Sequence, residues 1–274
     1  MSTPEMRARW AAAATAWEET NDPWQRQTLP VSTRMIELIA PQPGHTVLEL
    51  GAGIGDTGFL AAELIQPGGT LITSDIIPEM LSAAQRRAEA LGVTNVRFKQ
   101  IDAQRPIDLA AASVDGVLGR WVFMMMTDPE AALREVRRIL RPGGRLALAA
   151  WAGADENLWM AAPSGAVERR GALDPFPPGA PGPMTWADPA IIVEHLDAAG
   201  FDDPEVEPVE FSVRFDSVED WWEVARRRST RMASARPFDA QDVLAELRDA
   251  AAPYTAPDGA VALPARTWVA AATA

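Results

Sequence analysis

The sequence predicts an α/β fold in which a parallel sheet is covered by helices on both faces. Two observations indicate it. Short apolar runs alternate with amphipathic runs of helical length between residues 46 and 151, and the first apolar run ends in a glycine-rich turn that leads into a helix. This alternation is typical of parallel strands joined by right-handed helical crossovers. Because such sheets bind ligands beyond the carboxyl ends of their strands, we expect the functional site at that edge.

The elements of the sheet region follow from the alternation in order. Apolar runs predict strands, and the periodic runs between them predict helices. The predicted elements are strand 46–50, helix 57–65, strand 70–75, helix 78–91, strand 95–101, strand 114–119, helix 128–140 and strand 144–151.

Further helices are predicted on both sides of the sheet region. Ahead of it, residues 5–20 and 28–39 have helical patterns separated by a proline-containing break. Trp10 and Trp17 share a face of the first helix, where they either pack it on the core or line a lid over the ligand pocket. After residue 151 the pattern predicts helices 157–170, 189–199, 217–232 and 239–251, a proline-rich lid loop at 174–184, and strands 205–215 and 259–270.

The composition limits the function classes. The chain has 274 residues, of which 47% are hydrophobic, and no apolar run reaches the ~18 residues of a membrane span. The formal net charge of −13 disfavours binding to nucleic acid or to anionic lipid. The lack of cysteine excludes disulfides and thiolate metal sites. Since the N-terminus has no secretory signal pattern, we expect a cytoplasmic protein without nucleic-acid or membrane partners.

The turn after the first strand reads Glu49-x-Gly51-x-Gly53-x-Gly55. Glycines allow bare backbone to approach a ligand, and the helix start offers free N–H groups. The same turn also fits a dinucleotide fingerprint, Gly53-x-Gly55-x-x-Gly58. A carboxylate at Glu49 would repel a pyrophosphate but attract an ammonium or sulfonium group, which favours the first alignment.

A nicotinamide-dependent oxidoreductase is the first alternative. It would need a Tyr-x-x-x-Lys pair or an equivalent proton donor. The chain has one tyrosine, Tyr254, and one lysine, Lys99, which do not form that motif.

With the segments that follow, the glycine turn resembles that of the class I S-adenosylmethionine-dependent methyltransferases. The matching segments are an acid-ended strand at 70–75, a segment at 96–103 that contains Asp102, a strand at 113–118 and the Pro-Gly-Gly turn at 142–144, in the family's order. The resemblance implies a Rossmann-like, seven-stranded, mostly parallel sheet with an antiparallel last strand and a helical cap. It also implies S-adenosylmethionine as cofactor, S-adenosylhomocysteine as product, and no metal.

The resemblance also assigns cofactor-binding residues. Asp75 would hold the ribose hydroxyls and Asp102 the exocyclic amine of the adenine. Arg120 would meet the carboxylate of the cofactor or an acidic acceptor, with a structural ion pair as the alternative. The full expected set is Glu49, Gly51, Ala52, Gly53, Gly55, Asp75, Ile76, Asp102, Ala103 and Arg120.

The expected domain organisation is a helical lid at residues 1–43 and a methyltransferase domain at 44–274. Cap insertions are expected at about 152–187 and 216–258, where related enzymes carry acceptor-specific segments. The second insertion contains three consecutive arginines at 226–228. We interpret them as a solvated face, with contact to an anionic acceptor as the alternative. A homodimer is possible.

Methyl transfer from a sulfonium needs mainly a nucleophile held in line and the exclusion of water. Weak candidates for catalytic residues are Asp155 and Glu156, near the expected pocket mouth, and Arg120; Asp56 is expected to cap the following helix. The sequence is similar to the branch with ubiquinone and menaquinone methyltransferases. That similarity, with the Trp, Phe and Met of the lid, favours a small apolar, aromatic or polyketide-like acceptor. The alternative is a cofactor-binding protein that transfers no methyl group, such as a cyclase, regulator or assembly partner.

Overall fold

The computed structural model describes residues 4–177 and 179–274, with the backbone alone at 4–6 and 233. Residues 1–3 of the expected lid and Pro178 of the expected lid loop lie outside the described residues. The helices are α1 (Pro4–Glu19), α2 (Asn21–Ile39), α3 (Asp56–Leu64), α4 (Pro78–Leu91), α5 (Pro129–Ile139), α6 (Leu158–Arg169), α7 (Pro189–Ala198), α8 (Val218–Arg228) and α9 (Ala240–Ala251). None of these described helices is long and apolar enough to cross a membrane.

The strands form a seven-stranded sheet in the order β3-β2-β1-β4-β5-β7-β6. They are β1 (Thr46–Leu50), β2 (Thr70–Asp75), β3 (Val96–Gln100), β4 (Val114–Arg120), β5 (Leu140–Trp151), β6 (Asp202–Phe215) and β7 (Val261–Thr273). β7 is antiparallel to both of its neighbours, and the pairs from β3 to β5 are parallel. The predicted fold is confirmed. The strand order reverses between β1 and β4, where such sheets open a ligand crevice.

Alternating side chains divide the core between the two faces of the sheet. Val47 and Leu71 pack with α2, α3 and α4, whereas their neighbours Leu48 and Ile72 pack into the opposite core with α5 and α7. This period of two is the geometry of a strand that is buried on both faces. The central strands β1, β2 and β4 are therefore largely buried, and the buried acids Glu49 and Asp75 lie at or near their carboxyl ends.

The connections after β5 and β6 supply a helical layer at the carboxyl-end edge of the sheet. This layer consists of α6 from the first connection and of α8 and α9 from the second, whereas α7 packs on the face of the sheet beside α5. Buried side chains of α6, α8 and α9, among them Val167, Trp221 and Leu247, join the same core cluster as Leu148 of β5. The cap therefore continues the main core.

Several predicted boundaries are wrong, most clearly the start of α2, the start of β5 and the end of α8, which is Arg228 and not residue 232. α2 begins at Asn21, seven residues before the predicted start, and includes the Asn-Asp-Pro break. Pro23 lies in the first turn, where the missing N–H has no intrahelical acceptor to lose. β5 begins at Leu140, four residues before the predicted start at 144. The Pro-Gly-Gly turn at 142–144 lies inside the strand as an irregularity: Gly143 has a φ of +79°, and the β4–β5 register shifts between Val114 and Gly116.

Replacing Met35 with Ala tests the packing of α2 on the sheet. Met35 is fully buried, and we expect the free energy of unfolding to fall by about 2–5 kcal/mol, since the truncation leaves a cavity. Leu29→Ala on the same helix is the matched control. Its side chain is 41% exposed, and its cost should stay within about 0.5 kcal/mol. Equal losses in urea unfolding of the two variants would contradict the placement of α2.

Candidate functional site

The glycine turn after β1 adopts backbone angles that side chains disfavour. Gly51 and Gly53 have φ of +59° and +56°. A Cβ on Gly51 would lie 2.3 Å from Cγ2 of Val122, which follows β4. The turn thus passes against the loop after β4 and leaves its backbone bare on the ligand side.

Glu49 points back from the end of β1 beneath this turn. Its carboxyl group is buried, and its Oε1 accepts a hydrogen bond of 2.8 Å from the backbone N–H of Gly58. Burial raises the pKa of Glu49 to about 8, against the opposing effect of the Gly58 hydrogen bond. A buried carboxyl in this state would be ionised more readily beside a cation.

Asp75 is the last residue of β2, and its carboxylate accepts hydrogen bonds from the loops that follow β1 and β2. Its Oδ2 accepts from the backbone N–H of Gly53 at 2.9 Å, and its Oδ1 accepts from the backbone N–H of Ile77 at 2.9 Å. Burial raises the pKa of Asp75 to about 6, despite these hydrogen bonds. A carboxylate offers about four acceptor sites, so Asp75 can still accept from a ligand hydroxyl.

Asp102 follows β3 and accepts a hydrogen bond from the N-terminal helix α1. Arg7 of α1 donates from Nη2 to Oδ2 of Asp102 at 2.9 Å, and the backbone N–H of Gln104 donates to Oδ1 at 3.2 Å. α1 also packs Trp10 and Trp17 beside a small core of α4. The carboxylate expected to meet the adenine is thus in contact with α1 in this structure.

Arg120 and Asp56 form a buried ion pair, with 3.2 Å between Nη2 and Oδ2. Nη1 of Arg120 donates to the hydroxyls of Thr28 at 3.0 Å and Ser32 at 3.1 Å, both on α2. Asn21 donates to the other oxygen of Asp56 at 2.7 Å. The expected helix cap at Asp56 is wrong: the N-cap is Gly55, and the carboxylate is taken by Arg120 and Asn21. The structural ion pair considered for Arg120 is present.

These groups converge on one cavity of about 680 Å³. The expected cofactor residues that line it are Glu49, Gly51, Ala52, Gly53, Asp75, Ile76, Asp102, Ala103 and Arg120. Gly55 does not line it. Its φ of 90° is needed for the N-cap of α3.

The rest of the cavity is dominated by aromatic and methionine side chains. Four tryptophans from separate elements meet there, and we call them the aromatic wall: Trp24, Trp121, Trp151 and Trp159. Trp121 and Trp151 stack with ring centroids 4.1 Å apart, and Trp24 lies 4.9 Å from Trp159. Sequence reasoning did not group these four residues, because no sequence spacing relates them.

Asp155 and Glu156 are not part of the cavity lining. Asp155 is exposed, and Glu156 forms an ion pair with Arg266 of β7. Their expected position at the pocket mouth is therefore corrected. The turn after β5 directs both carboxylates toward β7 and solvent, and only Ala154 of this turn lines the cavity.

Known proteins resemble this chain over the same segment. Residues 41–169 match the model of a family described as a methyltransferase domain. The nocamycin O-methyltransferase of Saccharothrix syringae is 30% identical over 181 residues, which cover 63% of this chain and 64% of that protein. The demethylmenaquinone methyltransferase of Thermus thermophilus is 35% identical over 113 residues, covering 41% and 50%. The chain thus spans less than two thirds of the length of either relative.

The fold also recurs in solved structures. That of the cyclase SpnF superposes with a TM-score of 0.56 at 17% identity, covering 89% of this chain and 79% of that one. At this identity the likeness concerns the fold alone. The matched segment identifies residues 41–169 as a methyltransferase domain, and the strand order and the turn after β1 agree with the Rossmann-like fold of S-adenosylmethionine-dependent methyltransferases.

Proposed function

We propose that this protein transfers the methyl group of S-adenosylmethionine to a small apolar acceptor of aromatic or polyketide-like character. One observation carries the proposal: the glycine turn and three strand-end carboxyls open into the same cavity as the aromatic wall. A polar end for the cofactor and an apolar end for the acceptor are thereby adjacent.

The residues present fit the cofactor. The bare turn from Gly51 to Gly53 would face its amino-acid portion, Asp75 the ribose hydroxyls, and Asp102 the adenine amine once Arg7 releases it. Glu49 would lie on the side of the positive sulfur, where a buried carboxyl is ionised most easily. When bound, the cofactor supplies an activated methyl group.

The protein itself contributes by positioning the acceptor and by excluding water from the cavity. No histidine lines the cavity in the described part of the chain, and each carboxyl there is tied to protein donors or buried. We therefore assign no general base. Trp121, Trp151 and Trp159 would hold a flat acceptor and exclude water, so that proximity and orientation lower the barrier.

The relatives support the acceptor class. They are named for nocamycin and for demethylmenaquinone, and the large apolar wall suits ligands with extended ring systems. We infer in addition that residues 1–43 act as a lid and that the insertions at about 152–187 and 216–258 act as the acceptor cap. Trp10 and Trp17 of α1 and Trp221 of α8 line the cavity, which supports this division.

A second candidate is a protein of the same fold that binds the cofactor without transferring methyl. The structural similarity to the cyclase SpnF is the observation that favours this candidate. Calorimetric titration with S-adenosylmethionine, S-adenosylhomocysteine and nicotinamide cofactors is the first test. Binding of the first two alone supports the proposal, and labelled-methyl transfer to any acceptor excludes the second candidate. Binding of the nicotinamide cofactors alone would overturn both.

Replacing Asp75 with Ala should weaken S-adenosylhomocysteine binding by about 1–3 kcal/mol, since the ribose hydroxyls lose their acceptor. Calorimetry on the folded variant measures the change. Glu79→Ala, at an exposed acid in the first turn of α4, is the control and should bind like the wild type. Unchanged affinity in a folded Asp75→Ala protein would remove Asp75 from the cofactor site.

The raised pKa of Glu49 predicts a pH-dependent preference for the sulfonium cofactor. Below about pH 8 the group is protonated in the free protein, and a nearby cation favours its ionised form. Binding of S-adenosylmethionine therefore releases a proton, and its affinity relative to S-adenosylhomocysteine should rise by up to about tenfold per pH unit toward pH 8.

The matched variant is Glu49→Gln, which keeps an acceptor for the Gly58 N–H but cannot ionise. Its ratio of the two dissociation constants should not change with pH. A pH-independent ratio in the wild type, or an equal slope in both proteins, would show that Glu49 is not next to the sulfur.

A further inference from the structure

Arg228, the last residue of α8, lines the cavity between two tryptophans. Its guanidinium carbon lies 3.9 Å from the ring centroid of Trp17 and 4.8 Å from that of Trp24. Stacking on aromatic faces holds the plane of the group and partly compensates its charge. The side chain therefore has a fixed orientation in the wall of the cavity.

The hydrogen bonds of Arg228 are incomplete. Nη1 donates to the hydroxyl of Thr20 at 3.0 Å and to its carbonyl oxygen at 3.3 Å. Nη2 is buried without any hydrogen-bond partner, and within the described residues no carboxylate lies within 4.0 Å of the guanidinium. Burial lowers the pKa of Arg228 to about 9, an effect that the charge of Asp56 opposes.

A second buried donor in the same stack also lacks an acceptor. The indole Nε1 of Trp24 has no hydrogen-bond partner. Other buried donors in the described residues also lack partners, among them Nε1 of Trp10, but those of Arg228 and Trp24 lie in one stack on the cavity wall. Because buried donors are almost always satisfied in native structures, this adjacent pair needs an explanation. Since both groups only donate, a ligand with acceptor oxygens would satisfy them.

The other arginines that line the cavity, and the two that precede Arg228 on α8, all form ion pairs with carboxylates. Arg120 lies 3.2 Å from Asp56, and Arg231 lies 2.8 Å from Glu168. Arg226 pairs with Glu223 at 2.9 Å on the surface, and Arg227 pairs with Glu19. Among the cavity-lining arginines in the described ranges, Arg228 alone has no carboxylate partner.

We propose that Arg228 binds a carboxylate or an equivalent anionic oxygen group of a ligand in the cavity and so determines ligand specificity. The inference rests on the proposed function, because it concerns the same cavity. A carboxylate would supply acceptors to Nη2 and a counter-charge to a cation that is otherwise buried alone. The aromatic wall would hold the apolar remainder of the ligand.

Two molecules could present that anion. One is the acceptor, which would then be an apolar ring system with one acidic substituent. The other is the cofactor, whose amino-acid portion carries a carboxylate. The chemistry at Arg228 is the same in both, and two titrations distinguish them.

The acceptor arm uses naphthoate and its neutral analogue naphthalenemethanol, titrated into the protein saturated with S-adenosylhomocysteine. If the acceptor carries the anion, the wild type should bind naphthoate tighter by about tenfold or more, the scale of a charge-assisted hydrogen bond. Arg228→Gln should lose this preference. Arg226→Gln, which removes an exposed neighbour of the same charge, should retain it.

The cofactor arm compares S-adenosylhomocysteine with methylthioadenosine, which lacks the amino-acid carboxylate. If the cofactor supplies the anion, Arg228→Gln should weaken S-adenosylhomocysteine by about tenfold and change methylthioadenosine by less than about twofold. The naphthoate preference is then absent in the saturated protein. This result keeps Arg228 as an anion site and assigns the anion to the cofactor.

Arg228→Met is the alternative variant if Arg228→Gln does not fold. Methionine keeps an apolar side chain at this position and removes the unpaired charge. The melting temperature of this variant should not fall below that of the wild type. If neither variant folds, the naphthoate pair in the wild type decides, because its two members share the ring system and differ in the acidic group. No preference for the carboxylate in either ligand pair, or an unchanged preference in the variants, overturns the proposal.

Failure of the proposed function would look different. A wild type that binds neither S-adenosylmethionine nor S-adenosylhomocysteine would contradict the cofactor assignment. The naphthoate comparison can still be made without cofactor, and it tests Arg228 by itself.

Discussion

The buried ion pair between Asp56 and Arg120 is the interaction on which the shape of the cavity depends. Their side chains are 5% and 12% exposed, so water stabilises the charges far less than it would at the surface. Such a pair is tolerated inside a protein only if further hydrogen bonds satisfy its remaining atoms. Asn21, Thr28 and Ser32 of α2 supply them. The start of α3, the end of β4 and one polar face of α2 are thereby held together.

This constraint also positions the aromatic wall. The turn of α2 that carries Asn21 also carries Trp24, whose ring packs against Trp121, Trp151 and Trp159. Those three residues come from the ends of β4 and β5 and from α6. Because the wall is assembled from four chain segments, it forms only when α2 is seated on the sheet by its polar and apolar contacts together. The packing of α2 on the sheet therefore affects both the stability of the fold and the formation of the aromatic wall.

The opposite end of the cavity has a different electrostatic character. Glu49 and Asp75 are both buried, and burial raises the pKa of each. Asp75 accepts from the backbone N–H of Gly53 in the glycine turn and Glu49 from that of Gly58 in α3, so the two carboxyls hold the turn and the helix start in place. In this structure Arg7 of α1 contacts Asp102, so the N-terminal helix lies across the nucleotide end of the proposed cofactor site. A cationic ligand between Glu49 and the aromatic wall would meet a carboxyl on one side and π-faces on the other.

The sequence by itself determined the sheet, the order of its elements and the residues of the glycine turn. Strand alternation, helix periodicity and glycine at strained backbone positions are local requirements, so they can be recognised without knowing the fold. Glu49 was identified from its charge beside the glycine turn, whereas Asp75 and Asp102 were assigned by the resemblance to the methyltransferase family. Parallel strands place their carboxyl ends at one edge, which is why these three residues meet.

The tertiary structure alone decided which side chains meet. In the structure α2 begins at Asn21, and Asp56 pairs with Arg120 instead of capping a helix. Asp155 and Glu156 lie away from the cavity. Of the three consecutive arginines, two are exposed, and the guanidinium Nη2 of Arg228 is buried. Neighbours along the chain diverge in this way because a helix turns each successive residue to a different side. Whether a charge is solvated or buried depends on what packs there from distant segments.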